Sequence, residues 1–246
     1  MSALFRLTVT ETKLFFREPM GVFFALAFPP ILLVILGSVP SMRHADPALG
    51  GLRVIDLYAP IVVVMAIAMF AVNGLPQLLG TYREKGILRR MRTTPVKPGL
   101  VLAAQLLMAT ALSVSTMVVI LAIGRLAFQV HLPSQLAGYV IAYVLAALAM
   151  FAIGLLVASV ASSGKAAGAI GTVLFFPTMF FAGLWVPRAS MPDVLRRISD
   201  FTPLGAGVQS LQDAAGGHWP QLLHVAVMLG WVVVAGGLAA RYFRWE

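Results

Sequence analysis

The sequence predicts an all-α polytopic membrane protein with six spanning helices, and three observations carry that prediction. Of the 246 residues, 60% are hydrophobic and only 11% charged, against roughly 25% charged in soluble domains. Six segments are apolar over about the 20 residues that a spanning helix needs. Runs such as Ile61–Phe70 (IVVVMAIAMF) are continuous rather than alternating, unlike the strands of a membrane barrel. An open sheet would leave backbone groups unpaired in lipid, so helices are the default. The chain has no Cys, which excludes disulfides, thiolate metal sites and cysteine catalysis. Its net charge is +9. That points to nucleic acid or an anionic membrane surface, and the low charged fraction favours the membrane.

Taken in order, the first element is an interfacial helix over residues 3–18. At about 100° per residue, Arg6, Lys13 and Arg17 fall in one narrow wedge, and Leu4, Phe5, Leu7, Val9, Leu14, Phe15 and Phe16 cover most of the rest. This suits a helix lying on the inner leaflet with its basic stripe on the headgroups. A plain basic flank to the first span is the alternative. Pro19 disfavours helix at Glu18 and bends the chain into that span. The spans fall near residues 21–40, 55–80, 98–125, 134–161, 166–187 and 219–241, so residues 1–246 read as a single transmembrane domain.

Between the second and third spans, Tyr82–Pro98 (YREKGILRRMRTTPVKP) is the densest charge cluster in the chain. Arg83 to Met91 form a short helix, stopped by Thr93-Thr94-Pro95. Ile87 and Met91 share a face at i,i+4 beside Leu88. An apolar knob ringed by cations suits a helix docked in a partner's groove; a positively charged inner flank explains the charges equally well. Nucleic-acid binding is a weaker third reading, because the patch is short and lies against the membrane.

Phe175 to Gly217 is apolar but broken by Pro177 and Pro187. It then shows helical spacing at Val194, Ile198 and Phe201 and again at Leu204, Val208 and Leu211. These are short amphipathic helices at, or re-entering, the outer membrane face. They serve either as a cap over an exit path or as a structural lid.

Charge location orients the molecule. With both ends cytoplasmic, twelve cations and four carboxylates lie inside, a sum of +8, and six cations and five carboxylates outside, a sum of +1. The positive-inside rule prefers this arrangement. Arg outnumbers Lys by 14 to 4, as in a GC-rich bacterial genome. The first apolar stretch is long enough to span and is followed by no convincing cleavage site, so a cleaved signal peptide is not expected.

The polar inventory within the spans is thin. Asn73 and Gln77 share a face of the second span, the third carries Gln105, Ser113, Ser115 and Thr116, and Asp56 and Lys165 sit at span ends. Ion-driven transport normally places an ionisable group at membrane depth, so it loses weight. His44, His131, His218 and His224 are scattered, and neither HExxH nor GxSxG occurs, so no metal site is expected and an intramembrane enzyme is disfavoured. Ser163-Gly164-Lys165 echoes the end of a phosphate loop. However, Ser159 takes the first glycine position and Ala166 the magnesium-binding one. The chain is not expected to hydrolyse ATP.

Three stretches resemble the membrane subunits of type-2 ATP-binding-cassette exporters, especially daunorubicin-resistance-like permeases: the amphipathic entry ending in FFREP, YREKGILRRMRTTPVKPG, and FFAGLWVPRASMPDVLRRISDFTPLGAGVQSLQDAAGG. The resemblance covers essentially the whole chain. Ala182 departs from the Ser common before Gly-Leu-Trp, and Gln105 stands where a Lys is frequent. The resemblance implies a coupling helix formed by Arg83, Glu84, Lys85, Gly86, Ile87, Leu88, Arg89, Arg90, Met91 and Arg92. It would dock on a separate ATPase, with Ile87, Leu88 and Met91 as the apolar knob and the N-terminal helix moving with it. Two permeases, as homodimer or heterodimer, would sit over two ATPase copies that bind ATP and Mg, this chain holding no cofactor itself. The second and fifth spans would line the substrate path, with Asn73, Gln77, Phe176, Met179 and Phe180 as candidates. The expected activity is ATP-driven export of a hydrophobic drug, lipid or peptide-like molecule across a bacterial cytoplasmic membrane. A glycan exporter, a membrane scaffold and an intramembrane enzyme remain the alternatives.

Overall fold

The computed structural model describes residues 3–47, 51–87, 90 and 98–242. Among them there is no strand, only an isolated bridge between Ala45 and Arg53. The chain forms α1 (Ala3–Phe15), α2 (Pro19–Ser38), α3 (Val54–Glu84), α4 (Pro98–Phe128), α5 (Leu136–Val160), α6 (Gly164–Phe181), α7 (Asp193–Asp200), α8 (Pro203–Ala215) and α9 (Leu222–Tyr242). The helices α2, α3, α4, α5, α6 and α9 are long and apolar enough to cross a membrane. Most boundaries fall within a few residues of expectation. The fifth span is the exception: it ends at Phe181 rather than near Pro187. Gly183 there takes φ +92°, a left-handed conformation that ends the helix.

Helix α3 is the most buried of the six spans and packs against α2, α4, α5, α6 and α8. It passes through a π-helical segment, Met69–Gly74, where the Leu75 N–H bonds to Phe70 O instead of Ala71 O. Pro76 has no N–H to offer Val72 O at the usual spacing. The carbonyls of Ala71 and Val72 thus lose their ordinary i+4 donors and turn toward neighbouring glycines. A Cβ on Gly154 of α5 would lie 1.9 Å from Ala71 O, and one on Gly171 of α6 would lie 1.9 Å from Val72 O. Only the absence of a side chain lets these backbones touch, the close approach that membrane helices use in place of hydrophobic pairing. Gly80 and Gly164 repeat the device further along. In α2, the Phe28 N–H likewise reaches back to Phe23 O just before Pro29-Pro30.

The short helices α7 and α8 form a hairpin. Thr202 caps α8 by accepting from Gly205 N (3.1 Å), and Leu204, Val208 and Leu211 are buried as their spacing predicts. Gly138 of α5 lies against Ala214, and Gly207 of α8 against Ala146. The hairpin therefore runs down α5 from Leu136 to the level of Ala146, about 15 Å at 1.5 Å per residue. In α7 the apolar stripe Val194, Ile198 and Phe201 is exposed and Ser199 is buried. That stripe points away from the bundle because the bundle side of α7 is taken by polar anchors.

Candidate functional site

Three regions gather most of the polar contacts between elements, and the first lies at the α1 end of the bundle. Helix α1 turns Leu4, Leu7, Thr8, Glu11, Thr12 and Phe15 inward and leaves Arg6, Lys13 and Arg17 exposed; Arg17 falls just beyond the helix, which ends at Phe15. The Phe15 ring packs on Phe70 of α3, 5.7 Å between centroids. Glu11, unremarked in the sequence, is only 6% exposed. Its Oε2 accepts from the Tyr82 hydroxyl of α3 (2.6 Å) and from Gln105 Nε2 of α4. Burial pushes the carboxyl above its ordinary range, and these two hydrogen bonds partly oppose the shift. Where the resemblance led one to expect a Lys, Gln105 supplies a neutral donor to this node.

The stretch expected as a coupling helix is interrupted near its start. Arg83 and Glu84 form the last turn of α3, Lys85 and Gly86 form a turn with Gly86 at φ +63°, and helix resumes at Ile87. Arg83 points into the bundle rather than outward. Its Nη1 donates to Ala158 O (3.1 Å) and Ala161 O (2.9 Å), carbonyls at the end of α5 that have no donor within their own helix. Lys85 and Arg90 are exposed and Ile87 is half-buried. Leu88, Arg89, Met91 and Arg92 lie outside the described residues.

The second region is the wall shared by α3 and α6. Asn73 is half-buried, while Gly74 and Gln77 are exposed, so this otherwise buried helix surfaces along a polar edge continued by the half-buried Thr81. The Gln77 amide lies beside Gly168, and Lys165, Thr172 and Phe176 are exposed on α6. At the far end of the wall Phe176 (54% exposed) stacks on Trp185 (53%), with centroids 6.2 Å apart. Phe180 is half-buried. Met179 does not belong to this face: it is 0% exposed, because its position on α6 falls beside Gly171 and Phe175 on the side that packs into the core.

The third region anchors the α7–α8 hairpin. Asp200 Oδ1 pairs with Arg188 (2.7 Å) and His224 Nε2 (3.2 Å). Ser199 Oγ donates to Phe181 O, and Trp231 Nε1 donates to Phe201 O. At the same end, Arg53 bonds Asp56 through two nitrogens and donates to the carbonyls of Phe128 and Gln129, closing α4. Replacing Asp200 by Asn keeps the shape but removes the charge that both partners share. The expected cost is about 1–3 kcal/mol of local stability, read as faster amide exchange over residues 193–202 while α5 keeps its protection. Unchanged exchange there would show that Asp200 does not anchor the hairpin.

Among the described residues no group of three His, Asp or Glu could hold a metal ion. The fold and these regions define a multi-pass helical membrane protein with polar clusters at its two ends and along one wall, and a buried Tyr143–Ser113 hydrogen bond between α4 and α5. The chain belongs to the ABC-2 type transporter membrane family, whose sequence pattern matches residues 2–215, from α1 through the end of α8. It is thus a permease component of an ATP-binding-cassette transporter, and membership implies an ATPase partner. No curated protein matches the chain.

Proposed function

We propose that this chain is the permease subunit of an ATP-driven exporter for a hydrophobic drug, lipid or peptide-like molecule. Two copies, or this chain and a related one, would face each other over two ATPases that bind ATP and Mg. Both ends would lie in the cytoplasm of a bacterial cell, with the α7–α8 hairpin re-entering the membrane from outside. The observation that carries the reading is the polar edge of α3. A helix this buried surfaces through Asn73, Gly74 and Gln77, and amide side chains facing lipid would be costly. They fit better against a second permease or a substrate path. Phe176 and Trp185 give the same wall an apolar, aromatic end suited to hydrophobic cargo. The amides and hydroxyls of the wall also favour a second reading, a glycan cargo met by hydrogen bonds. Residues 85–97 follow the same end of α3 and would meet the ATPase.

The purified chain alone is expected to show no ATP turnover. Reconstituted with its cognate ATPase, the pair should hydrolyse ATP and be stimulated by cargo. Asn73→Leu with Gln77→Leu should remove most of the stimulation and leave basal hydrolysis. Hydrolysis by the chain alone, or full stimulation of the double variant, would overturn the reading. A panel of hydrophobic and glycan probes separates the two cargo classes. Orientation is checked in this Cys-free chain: a Cys at Ser190 should label from outside the cell, and one at Thr94 only after permeabilisation.

A further inference from the structure

Glu11 occupies a junction that neither the wall nor the 85–97 segment accounts for. Its carboxyl bonds Tyr82, just before the 85–97 segment, and Gln105, in the second turn after it. One side chain of α1 therefore grips both the helix that enters that segment and the helix that leaves it. Both partners are neutral. Gly99 to Ala109 at the start of α4 carry no charged residue. On α3, Arg83 is committed through Nη1 to the end of α5, and Glu84 is exposed. Glu18, before α2, is exposed and close enough to act on Tyr82. On α1 itself Arg6, Lys13 and Arg17 point outward, and Phe15 and Phe70 wall the site.

We propose that Glu11 is a positioning residue that docks α1 onto the two helices flanking the 85–97 segment, holding α1 down when protonated and letting it lift when ionised. A buried carboxylate needs a cation or several strong donors to offset its lost hydration. Here two neutral donors share one oxygen. Burial raises the carboxyl's pKa in the docked state, so docking takes up a proton. Docking is then strongest below the pKa of the free side chain and weakens as pH rises through the docked-state value. In transport, movement of the segment would reach α1 through this contact. That consequence rests on the permease reading, whereas the docking itself does not.

The test uses the full-length chain in lipid nanodiscs. The sequence has no Cys, so a single introduced Cys is its only thiol. Thr8 is half-buried on the bundle side of α1 and Thr10 is exposed. The ratio of maleimide labelling rates, Thr8→Cys over Thr10→Cys, cancels the thiol's own pH dependence. This ratio is expected to rise several-fold between pH 4.5, the ordinary value of the free carboxyl, and pH 9. With Glu11→Gln, which stays neutral and keeps both hydrogen bonds, it should remain low and flat; with Glu11→Ala it should be high throughout. A flat wild-type ratio, an unchanged slope in Glu11→Gln, or wild-type protection in Glu11→Ala would each overturn the proposal. Neither ATPase nor cargo is present, so failure here leaves the permease reading standing, and loss of ATPase docking leaves this one standing.

Discussion

A chain carrying Ile87→Asp and Met91→Asp is expected to insert into membranes normally yet to separate from its ATPase on size-exclusion chromatography. Ile87 is helical again after the Lys85-Gly86 turn, and the sequence spacing to Met91 is i,i+4, which on a helix would bring the two to one side. Burying a side chain of this size in a partner's groove is worth about 1.5–3 kcal/mol. Losing two such anchors, and desolvating two carboxylates in their place, should weaken association by at least about 100-fold at 1.4 kcal/mol per decade. Arg83 provides the contrast. It is turned toward the end of α5, so Arg83→Ala should lower the thermal midpoint of the permease itself. Co-elution of the double variant with its ATPase at the wild-type ratio would show that this segment is not the docking knob.

Gly154→Val should be the most damaging single change in the bundle, with Gly171→Val close behind. At both positions the contact is backbone on backbone: a Cβ would meet Ala71 O or Val72 O at 1.9 Å. A flexible side chain cannot give way there, so α3 must separate from α5 or α6. Overpacking costs typically about 1–3 kcal/mol and more when the backbone has to move. The expected result is loss of the monodisperse peak in mild detergent. Gly74→Ala provides the control, because the nearest atom to an added Cβ is 3.8 Å away; it should behave like wild type. If Gly154→Val keeps the wild-type thermal midpoint, the close packing of α3 on α5 is wrong.

The spans were legible in the sequence because a bilayer imposes a length and a composition that few other structures satisfy. What the bilayer does not impose was harder to read. Periodicity identified an apolar stripe on α7 but not its direction, since in lipid the apolar side of a short helix need not face the protein. Met179 and Phe176 are equally apolar, yet the turn of α6 buries one and exposes the other. Glu11 did leave a signal. On the helical wheel it lies about 140° from the basic wedge, amid Leu4, Leu7 and Phe15. An acid alone on an apolar face asks for buried donors. Their identity was hidden, because Tyr82 and Gln105 lie 71 and 94 residues away in sequence. The π segment of α3 was not foreseen, although Gly74 and Pro76 stand at its end. The glycines receiving its carbonyls could be recognised only in three dimensions.

The hairpin anchors also decide what light can report. Of the four tryptophans in the chain, Trp185 stacks on Phe176, Trp231 holds Phe201 O, and Trp219 lies exposed in the connection between α8 and α9. All three gather at the hairpin end, and Trp245 lies outside the described residues. Any shift of the α7–α8 connection must disturb the Trp231 indole, which is bonded to Phe201 O. The protein's own fluorescence is therefore a label-free recorder of one end of the molecule. Events at α1 will need an added probe to be seen.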